Sequence, residues 1–304
     1  MAQLALGIAA FGAGLWLLVA SVEGLVRTLQ AWALAAGVSG VVLGALVLGL
    51  DIESTAAGVA ANLRELHGSA LGATVGAAIF LMTAGLGIAA LVAPFHVRPP
   101  AVLLGAGAIA TAMAILVAAD GTVSRLDGAV LVGVFVPLVA AVAMRAPRPP
   151  AAEERRPRPD RLLGRVVLGL VGVVVGAEAL VFGTGRIVDE LELSETVFGL
   201  LVVAAAVSFE EVVLQALPAF RGFPELSVGN ALGTLVFLLT GSLGVIALVA
   251  PLPVIHSVRS YHLPALAGAV ALSGAMLARG RMGRADGIVL LGGYAAYVVV
   301  AVAR

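Results

Sequence analysis

Residues 80–95, FLMTAGLGIAALVAPF, return 157 positions later as FLLTGSLGVIALVAPL (237–252), and this pair of stretches decides the fold. Ten of the sixteen aligned positions are identical. Two shorter echoes lie upstream: residues 39–49 match 194–204 at an offset of 155, and residues 70–76 match 227–233 at an offset of 157. Leu, Ala and Val match easily by chance in an apolar chain, but aligned Ser, Gly, Thr and Pro do not. The sequence therefore predicts an internal duplication.

The composition is that of a polytopic membrane protein. Hydrophobic residues make up 61% of the chain and charged residues 12%, against about 25% charged residues in soluble domains. The chain has no cysteine and no lysine, which excludes disulfides, thiolate metal sites and Schiff-base chemistry. A net charge near zero gives no electrostatic case for binding nucleic acid. The first apolar run, 4–20, has no basic segment before it, so we expect a retained span rather than a cleaved signal.

A spanning helix needs about 20 apolar residues, and ten segments qualify. They are 3–21, 31–50 running on to 63, 69–94, 100–119, 127–145, 163–184, 194–217, 225–250, 262–279 and 286–303. A linker rich in Pro and Arg, 146–162, separates a first half (1–145) from a second half (163–304). Because each half has five spans, the second enters the membrane from the opposite side. We therefore predict an all-α integral membrane protein whose ten transmembrane helices form two inverted five-helix repeats, a scaffold typical of secondary transporters.

The distribution of arginine predicts the orientation in the cell membrane. If the N-terminus lies outside, the inner side holds thirteen arginines, seven of them between Arg145 and Arg165, and the outer side holds five. Under the positive-inside rule this asymmetry favours an external N-terminus and a cytoplasmic 146–162 linker.

Pairs of acidic residues interrupt the apolar pattern at the same place in both halves. Asp51 and Glu53 follow an uncharged span, and Glu210 and Glu211 occupy the corresponding region of the second copy. A carboxylate at the bilayer centre costs about 2.5–3.5 kcal/mol on insertion scales. Arg64 lies roughly 16 Å along a helix from Glu53, too far to neutralise it. Protons, waters or a bound cation remain as compensation, and several converging carboxylates suit Ca²⁺ or a similar hard cation.

A competing interpretation is that the acids only cap a helix break, since a helix N-terminus favours a carboxylate. That accounts for one acid in each half but not for two. The neighbouring spans carry glycine pairs four residues apart, Gly72 with Gly76 and Gly229 with Gly233. Small residues at this spacing let helices approach closely, which would bring Asn230 or Thr234 within reach of a cation.

At these residues the chain resembles the membrane region of sodium/calcium exchangers, within the cation/calcium exchanger superfamily. That family carries two inverted repeats with a signature like G-T-S-x-P-E, followed about 18 residues on by G-N-x-x-G-S-N. The second copy here reads AVSFEE (206–211) and then GNALGTL (229–235). The resemblance implies that Glu211 is the ion-binding glutamate, Ser208 the signature serine and Asn230 the signature asparagine.

The first copy departs from the signature. Ala73 and Ala77 stand where the family has asparagine and serine. Counting back from Gly72, Glu53 falls within one residue of the family glutamate, whereas counting forward from Gly44 it falls on the serine. The oxygens that the family uses for sodium are largely missing, so proton coupling through the extra acids Asp51 and Glu210 is an alternative to sodium coupling.

The resemblance implies a secondary active antiporter that exchanges Ca²⁺, or a related cation, for Na⁺ or H⁺ by alternating access. Glu53 and Glu211 would be the metal ligands, and the glycine-rich first and sixth spans, taken to lack central acids, would slide past the rest. Its partners would be inorganic cations and the lipid bilayer, with no cofactor beyond the transported cation, and a monomer is plausible. The alternative is a structural or sensing membrane protein that keeps the fold without transport. With no Ser/His pair, His cluster or phosphate loop inside the spans, we do not expect an enzyme.

Overall fold

The computed structural model describes the backbone of residues 2–36, 38–145, 159–190 and 198–303, and the side chains of residues 3–33, 38–144, 163–187 and 209–303. Eleven helices and two short strands follow one another in this order: α1 (Ala2–Ala36), α2 (Gly40–Leu43, continued by a π-helical turn, Gly44–Leu48), α3 (Ile52–Leu63), α4 (His67–Val92), α5 (Ala101–Ala118), β1 (Thr122–Val123), α6 (Arg125–Arg145), α7 (Pro159–Glu190), α8 (Phe198–Phe220), α9 (Pro224–Val249), β2 (Leu252–Pro253), α10 (Val258–Ala278) and α11 (Arg284–Ala303).

Most of these helices are long and apolar enough to cross a membrane. Among the residues with described side chains there are nine such segments, with α2 and α3 together forming one broken span. The predicted class, an all-α multi-pass membrane protein, is confirmed.

The two halves make the same contacts with their roles exchanged. Phe95, just after α4, and Met282, just before α11, exchange two backbone hydrogen bonds of 3.0 and 2.9 Å. On the other side of the molecule, Val123 in β1 lies opposite Leu252 in β2. Phe95 and Leu252 are repeat mates at the offset of 157, so each half contributes the same element to both pairings. This is the arrangement expected of an inverted duplication.

Close helix contacts repeat the same symmetry. A Cβ on Gly87 of α4 would lie 3.1 Å from the carbonyl oxygen of Gly287 in α11. A Cβ on Gly128 of α6 would lie 2.7 Å from the carbonyl oxygen of Gly244 in α9. Gly87 and Gly244 are again mates at an offset of 157. The third span of each repeat therefore packs backbone to backbone against the fifth span of the other, a contact that requires small residues.

Polar contacts sort the charged residues onto two ends of the helix bundle. At one end Arg221, after α8, pairs with Glu23 of α1, and Arg27 pairs with the same carboxylate at 3.6 Å. At the other end Arg186 of α7 bonds to Gln3, and Arg125 donates to the carbonyl oxygen of Val249 at 3.3 Å. These are the two groups of arginines that the sequence assigns to opposite sides. Which end faces the cytoplasm stays a prediction.

Two predicted boundaries are wrong. The first helix does not end near residue 21 but continues to Ala36, and the second span begins at Gly40 rather than at residue 31. The ion pair between Arg27 and Glu23, one helical turn apart, is compatible with a continuous helix here and favours it slightly. Helix α7 begins at Pro159, inside the segment 146–162 that the sequence predicts as a linker. Proline is well suited to the first turn of a helix, where its missing N–H has no partner to lose. Residues 146–158 lie outside the described residues.

Candidate functional site

The second span is broken at residues 49–51, and the break places two acids at the start of α3. Asp51 is the N-cap of α3, and its Oδ1 accepts a hydrogen bond of 2.8 Å from the backbone N–H of Ser54. The hydroxyl of Thr55 donates to the backbone oxygen of Asp51 at 3.0 Å. Glu53 lies in the first turn of the helix, where the macrodipole favours a negative charge. The capping interpretation therefore describes Asp51, whereas Glu53 has the weaker interaction with the helix dipole.

A cavity of about 500 Å³ brings the candidate residues together. Six of the seven line it: Asp51, Glu53, Glu210, Glu211, Asn230 and Thr234. Ser208 is in the part of α8 whose side chains lie outside the described residues. The walls between the polar groups are small or apolar, with Gly72, Ala73, Gly76 and Ala77 from α4 on one side and residues of α7 on the other. Acids from both repeats thus face a single space.

The cavity carries negative charge without a compensating cation from the protein. Among the described residues that line it, four are carboxylates and none is arginine or histidine. Glu53 is exposed, and Asp51, Glu210 and Glu211 are partly exposed, so water in the cavity can reach them. The cavity therefore lowers the cost of placing these acids among apolar helices. What remains is their mutual repulsion, which a cation would relieve.

The carboxylates that the sequence predicts to converge do not form a compact metal cluster among the described residues. Within the described part of the chain, no three acidic or histidine side chains come close enough to hold one metal ion together. The carboxylates instead line the walls of an open space. An ion entering the cavity would have to draw them inward, or be held by two of them with neutral oxygens and water.

The neutral oxygens next to the acids belong to a buried network. The Asn230 amide nitrogen donates to Gln215 Oε1 at 3.0 Å, and the Thr234 hydroxyl points to Asn230 Oδ1 at 3.4 Å. Gln215 donates in turn to the backbone oxygen of Ser227 at 2.9 Å. Gln215 and Ser227 are fully buried, and Asn230 and Thr234 are nearly so. Gln215 was missed from the sequence, although it lies four residues after Glu211, on the same face of α8.

The glycines of the second copy allow a close helix contact beside the cavity. A Cβ on Gly229 would lie 2.1 Å from the carbonyl oxygen of Val41, and one on Gly233 would lie 2.3 Å from that of Ala45. Backbone of α9 and backbone of α2 are therefore in direct contact, as the spacing of the glycines predicts. The corresponding residues of the first copy, Gly72 and Gly76, line the cavity instead.

The register of Glu53 follows from where the helices end. Helix α3 ends at Leu63 and α8 at Phe220, and a positive φ follows each at Glu65 (62°) and Gly222 (85°). Both pairs are 157 residues apart, so the offset holds through this region. Glu53 is therefore the mate of Glu210, and Ser54 occupies the position of Glu211. This agrees with the alignment counted back from Gly72, in which Glu53 falls within one residue of the family glutamate, and disagrees with the one counted forward from Gly44.

Two further residues near the cavity were missed. The expectation that the sixth span lacks a central acid is wrong, because Glu178 lies in the middle of α7 and acts electrostatically on Glu53 and Glu210. Tyr294 of α11 lines the cavity and packs edge-on against Phe80, with ring centroids 5.5 Å apart. Glu178 could have been read from the sequence, since it is an isolated charge in an apolar span.

Replacing Asp51 by asparagine should separate two contributions of this residue: the stability that it provides as an N-cap and the negative charge that it provides to the cavity. Asn is as good an N-cap as Asp, so Asp51→Asn should keep the stability of the wild type, whereas Asp51→Ala should lose about 1 kcal/mol of it. Both changes remove one negative charge from the cavity. Thermal unfolding in detergent measures the first effect, and cation binding measures the second. Equal unfolding midpoints for the Asn and Ala variants would contradict the capping role.

Comparison with known proteins decides the family. A sequence profile of the family described as "Sodium/calcium exchanger protein" matches residues 6–144 and, separately, residues 161–303. The chain belongs to this family. The two matches cover almost the whole of both predicted repeats, which confirms the resemblance found in the signatures. Because the family is one of exchangers, the prediction that the chain is not an enzyme is also confirmed.

The solved structures of an exchanger share the whole architecture. The sodium-calcium exchanger NCX_Mj, soaked with zero Na⁺ and Ca²⁺, superposes with a TM-score of 0.84 at 25% identity, covering 99% of this chain and all of that one. The same protein soaked with 2.5 mM Na⁺ and 10 mM Sr²⁺ gives 0.83 at 26% identity over 97% of this chain and 99% of that one. These matches confirm the predicted scaffold of two inverted five-helix repeats.

Curated relatives match over different lengths. The uncharacterized membrane protein MJ0091 of Methanocaldococcus jannaschii is 27% identical over 83% of this chain and 84% of its own length. The putative antiporter CaxA of Alkalimonas amylolytica is 31% identical, but the match covers only 45% of this chain and 43% of CaxA. This chain therefore shares with CaxA less than half of either protein's length.

Proposed function

We propose that this exchanger is a secondary active antiporter that moves Ca²⁺, or a related cation, against Na⁺ or H⁺. The observation that carries the proposal is the cavity, in which Asp51 and Glu53 of one repeat face the same space as Glu210 and Glu211 of the other. Such convergence at the junction of inverted repeats is where secondary transporters bind their substrates. Glu53 and Glu211 are the proposed metal ligands.

The chemistry of the lining suits a hard cation. Ca²⁺ takes 6–8 oxygen ligands from carboxylates, amide carbonyls and water in flexible geometry. Carboxylates, the Asn230 amide and the Thr234 hydroxyl provide such oxygens, and a cavity of about 500 Å³ has room for bound water as well. No thiolate is available, because the chain has no cysteine. The site therefore favours Ca²⁺ or a similar ion over a soft transition metal.

Helices α1 and α7 are the proposed moving element. They pack along one another through glycines: a Cβ on Gly14 would lie 2.5 Å from the backbone nitrogen of Leu180, and one on Gly176 would lie 2.7 Å from that of Leu18. Leu170 and Val173 of α7 also line the cavity. A tightly packed pair of which one helix, α7, lines the cavity can slide as a unit and change which end of the cavity is open. Glu178 lies on the same helix, so the moving unit also carries an acid.

Transport by the wild-type protein in liposomes tests the proposal. Purified protein is reconstituted, and uptake of Ca²⁺, Mn²⁺ and Sr²⁺ is followed under an outward Na⁺ gradient, an outward proton gradient, or neither. We expect uptake of Ca²⁺ that depends on one of the two gradients, and the effective gradient identifies the coupling ion. Absence of uptake of every cation under both gradients would overturn the proposal.

Calorimetry with Ca²⁺, Na⁺ and Mn²⁺ distinguishes an antiporter from the alternative, a structural or sensing membrane protein that does not transport. The first repeat has Ala73 and Ala77 at the lining where the family signature has polar residues, which fits a protein that has lost transport. A structural protein of this kind would give no heat with Ca²⁺, Na⁺ or Mn²⁺. Binding without flux would indicate a cation sensor.

The placement in the membrane is part of the proposal. We infer that the chain lies in the cell membrane with its N-terminus outside, the linker 146–162 in the cytoplasm and the halves 1–145 and 163–304 as the two repeats. Cysteine introduced at Gln3 or at Arg148 in this cysteine-free chain can be labelled with a membrane-impermeant maleimide in intact cells. We expect labelling at Gln3 only, and labelling at Arg148 alone would reverse the orientation.

A further inference from the structure

The junction of α8 and α9 is held by Ser227. Its hydroxyl accepts a hydrogen bond of 3.0 Å from the backbone N–H of Ala219, the residue after Pro218. Proline inside a helix removes one backbone bond and disturbs the turn around it, and the serine hydroxyl satisfies a donor there. Ser227 is fully buried, so its backbone oxygen has a fixed position inside the protein.

That oxygen determines how the Gln215 side chain is oriented. A carbonyl oxygen can only accept hydrogen bonds, so the group that Gln215 presents to Ser227 at 2.9 Å must be its NH₂. Gln215 Oε1 is then the atom that faces Asn230, and it too can only accept. Asn230 must therefore present its own NH₂ at 3.0 Å. The orientation of both amides thus follows from a backbone atom.

The remaining atom of Asn230 is its oxygen. With NH₂ turned toward Gln215, Oδ1 is on the other side of the amide, where the Thr234 hydroxyl lies 3.4 Å away. Asn230 and Thr234 both line the cavity that holds the four acids. At 3.4 Å the hydroxyl makes only a long contact, so Oδ1 keeps capacity for another partner.

We propose that Gln215 is a positioning residue that turns the Asn230 carbonyl oxygen toward the transported cation. This inference rests on the proposed function of the cavity. If the amide were free to turn, it would present NH₂ to the cavity part of the time, and a hydrogen-bond donor repels a cation. Gln215 does not touch the cation, and it acts through Asn230 alone.

The first repeat lacks both members of this pair. At the offset of 157 the mate of Gln215 is Gly58 and the mate of Asn230 is Ala73. The Cβ position of Gly58 is taken by the side chain of Ile246. The oriented neutral oxygen atom, Asn230 Oδ1, therefore comes from the second repeat. The cation site is asymmetric although the scaffold is symmetric.

A double-mutant cycle on Ca²⁺ transport tests the inference. Gln215→Leu, Asn230→Ala and the double variant are compared by KM and maximal rate in liposomes. We expect each single change to raise KM about tenfold, the size of one hydrogen bond to a charged group, with the maximal rate retained. The double variant should be no worse than Asn230→Ala, since a positioning residue has no effect once its target is gone. Gln215→Met is measured beside Gln215→Leu, so a folding defect in one leaves the test intact.

A control separates positioning from lost stability. Thr111→Val removes a buried hydroxyl that bonds at 2.8 Å to Gly107 within α5, outside the cavity lining, and should leave KM unchanged. An unchanged KM in both Gln215 variants, or effects that multiply in the double variant, would overturn the inference while the transport proposal stands. If the wild type shows no flux at all, the proposed function itself has failed.

Discussion

Glu211→Gln is expected to abolish Ca²⁺ exchange. The change keeps the shape of the side chain but replaces a charged oxygen of the proposed site by an amide nitrogen. Removing one charge from a close, partly desolvated charge pair typically costs about 2–5 kcal/mol, which is roughly a 30-fold loss of affinity or more. Because exchange also requires the counter-ion to compete for the same carboxylates, both fluxes should fall together. Uptake of Ca²⁺ into liposomes, with the protein amount matched by immunoblot, measures the loss.

Glu225→Gln is the matched control for this experiment. Glu225 is an exposed glutamate in the first turn of α9 and does not line the cavity. Its replacement should cost only the favourable interaction with the helix dipole, about 0.3–1 kcal/mol of stability, and leave flux unchanged. Glu53→Gln should behave like Glu211→Gln, since Glu53 is the other proposed metal ligand. Normal Ca²⁺ exchange in the Glu211→Gln variant would contradict the assignment of the cation site to this cavity.

The site residues that could be predicted are those that break a strong local pattern. Asp51 and Glu53 interrupt an apolar span, Glu210 and Glu211 interrupt its repeat mate, and the constant offset implies that the two pairs meet. Gln215 escaped because its role depends on a contact with Ser227 across the turn between α8 and α9, which no periodicity records. Its spacing of four from Glu211 is the only local signal, and many residues share such spacings.

The fold followed from hydropathy and duplication, whereas its irregular geometry did not. Hydropathy cannot distinguish an α-helical turn from the π-helical turns at Leu81–Gly85 and Phe237–Ser242, which occur at matching places in α4 and α9. Such turns depend on how neighbouring helices pack and are frequent at functional sites. The end of α1 was misplaced for a related reason. The charges of this stretch suggest a loop, but Glu23 pairs with Arg27 and Arg221 and the stretch is helical.

Gly233→Ala is expected to destabilise the protein strongly. A Cβ at this position would lie 2.3 Å from the carbonyl oxygen of Ala45, 2.4 Å from its Cα and 2.7 Å from its carbonyl carbon. These are backbone atoms of α2, which cannot rotate away as a side chain can, so the two helices must separate. Overpacking of this kind typically costs about 1–3 kcal/mol, and more when backbone has to move. Thermal unfolding in detergent, followed by size-exclusion chromatography, measures the loss.

Gly268→Ala is expected to have the opposite effect on stability, which isolates the close backbone contact at Gly233 as the cause of the loss. Gly268 lies inside α10, and no described atom lies within 4 Å of the Cβ that the change would add. Alanine there should stabilise the helix by up to about 1 kcal/mol, the difference in helix propensity. Both variants add one methyl group to a helical glycine, and only the neighbouring backbone differs.

Helix α2 leads directly into the break that presents Asp51 and Glu53, so its displacement by Gly233→Ala should also reduce cation binding. A Gly233→Ala variant as stable as the wild type would mean that α2 and α9 are not in backbone contact. The arrangement of these two helices beside the cavity would then be wrong.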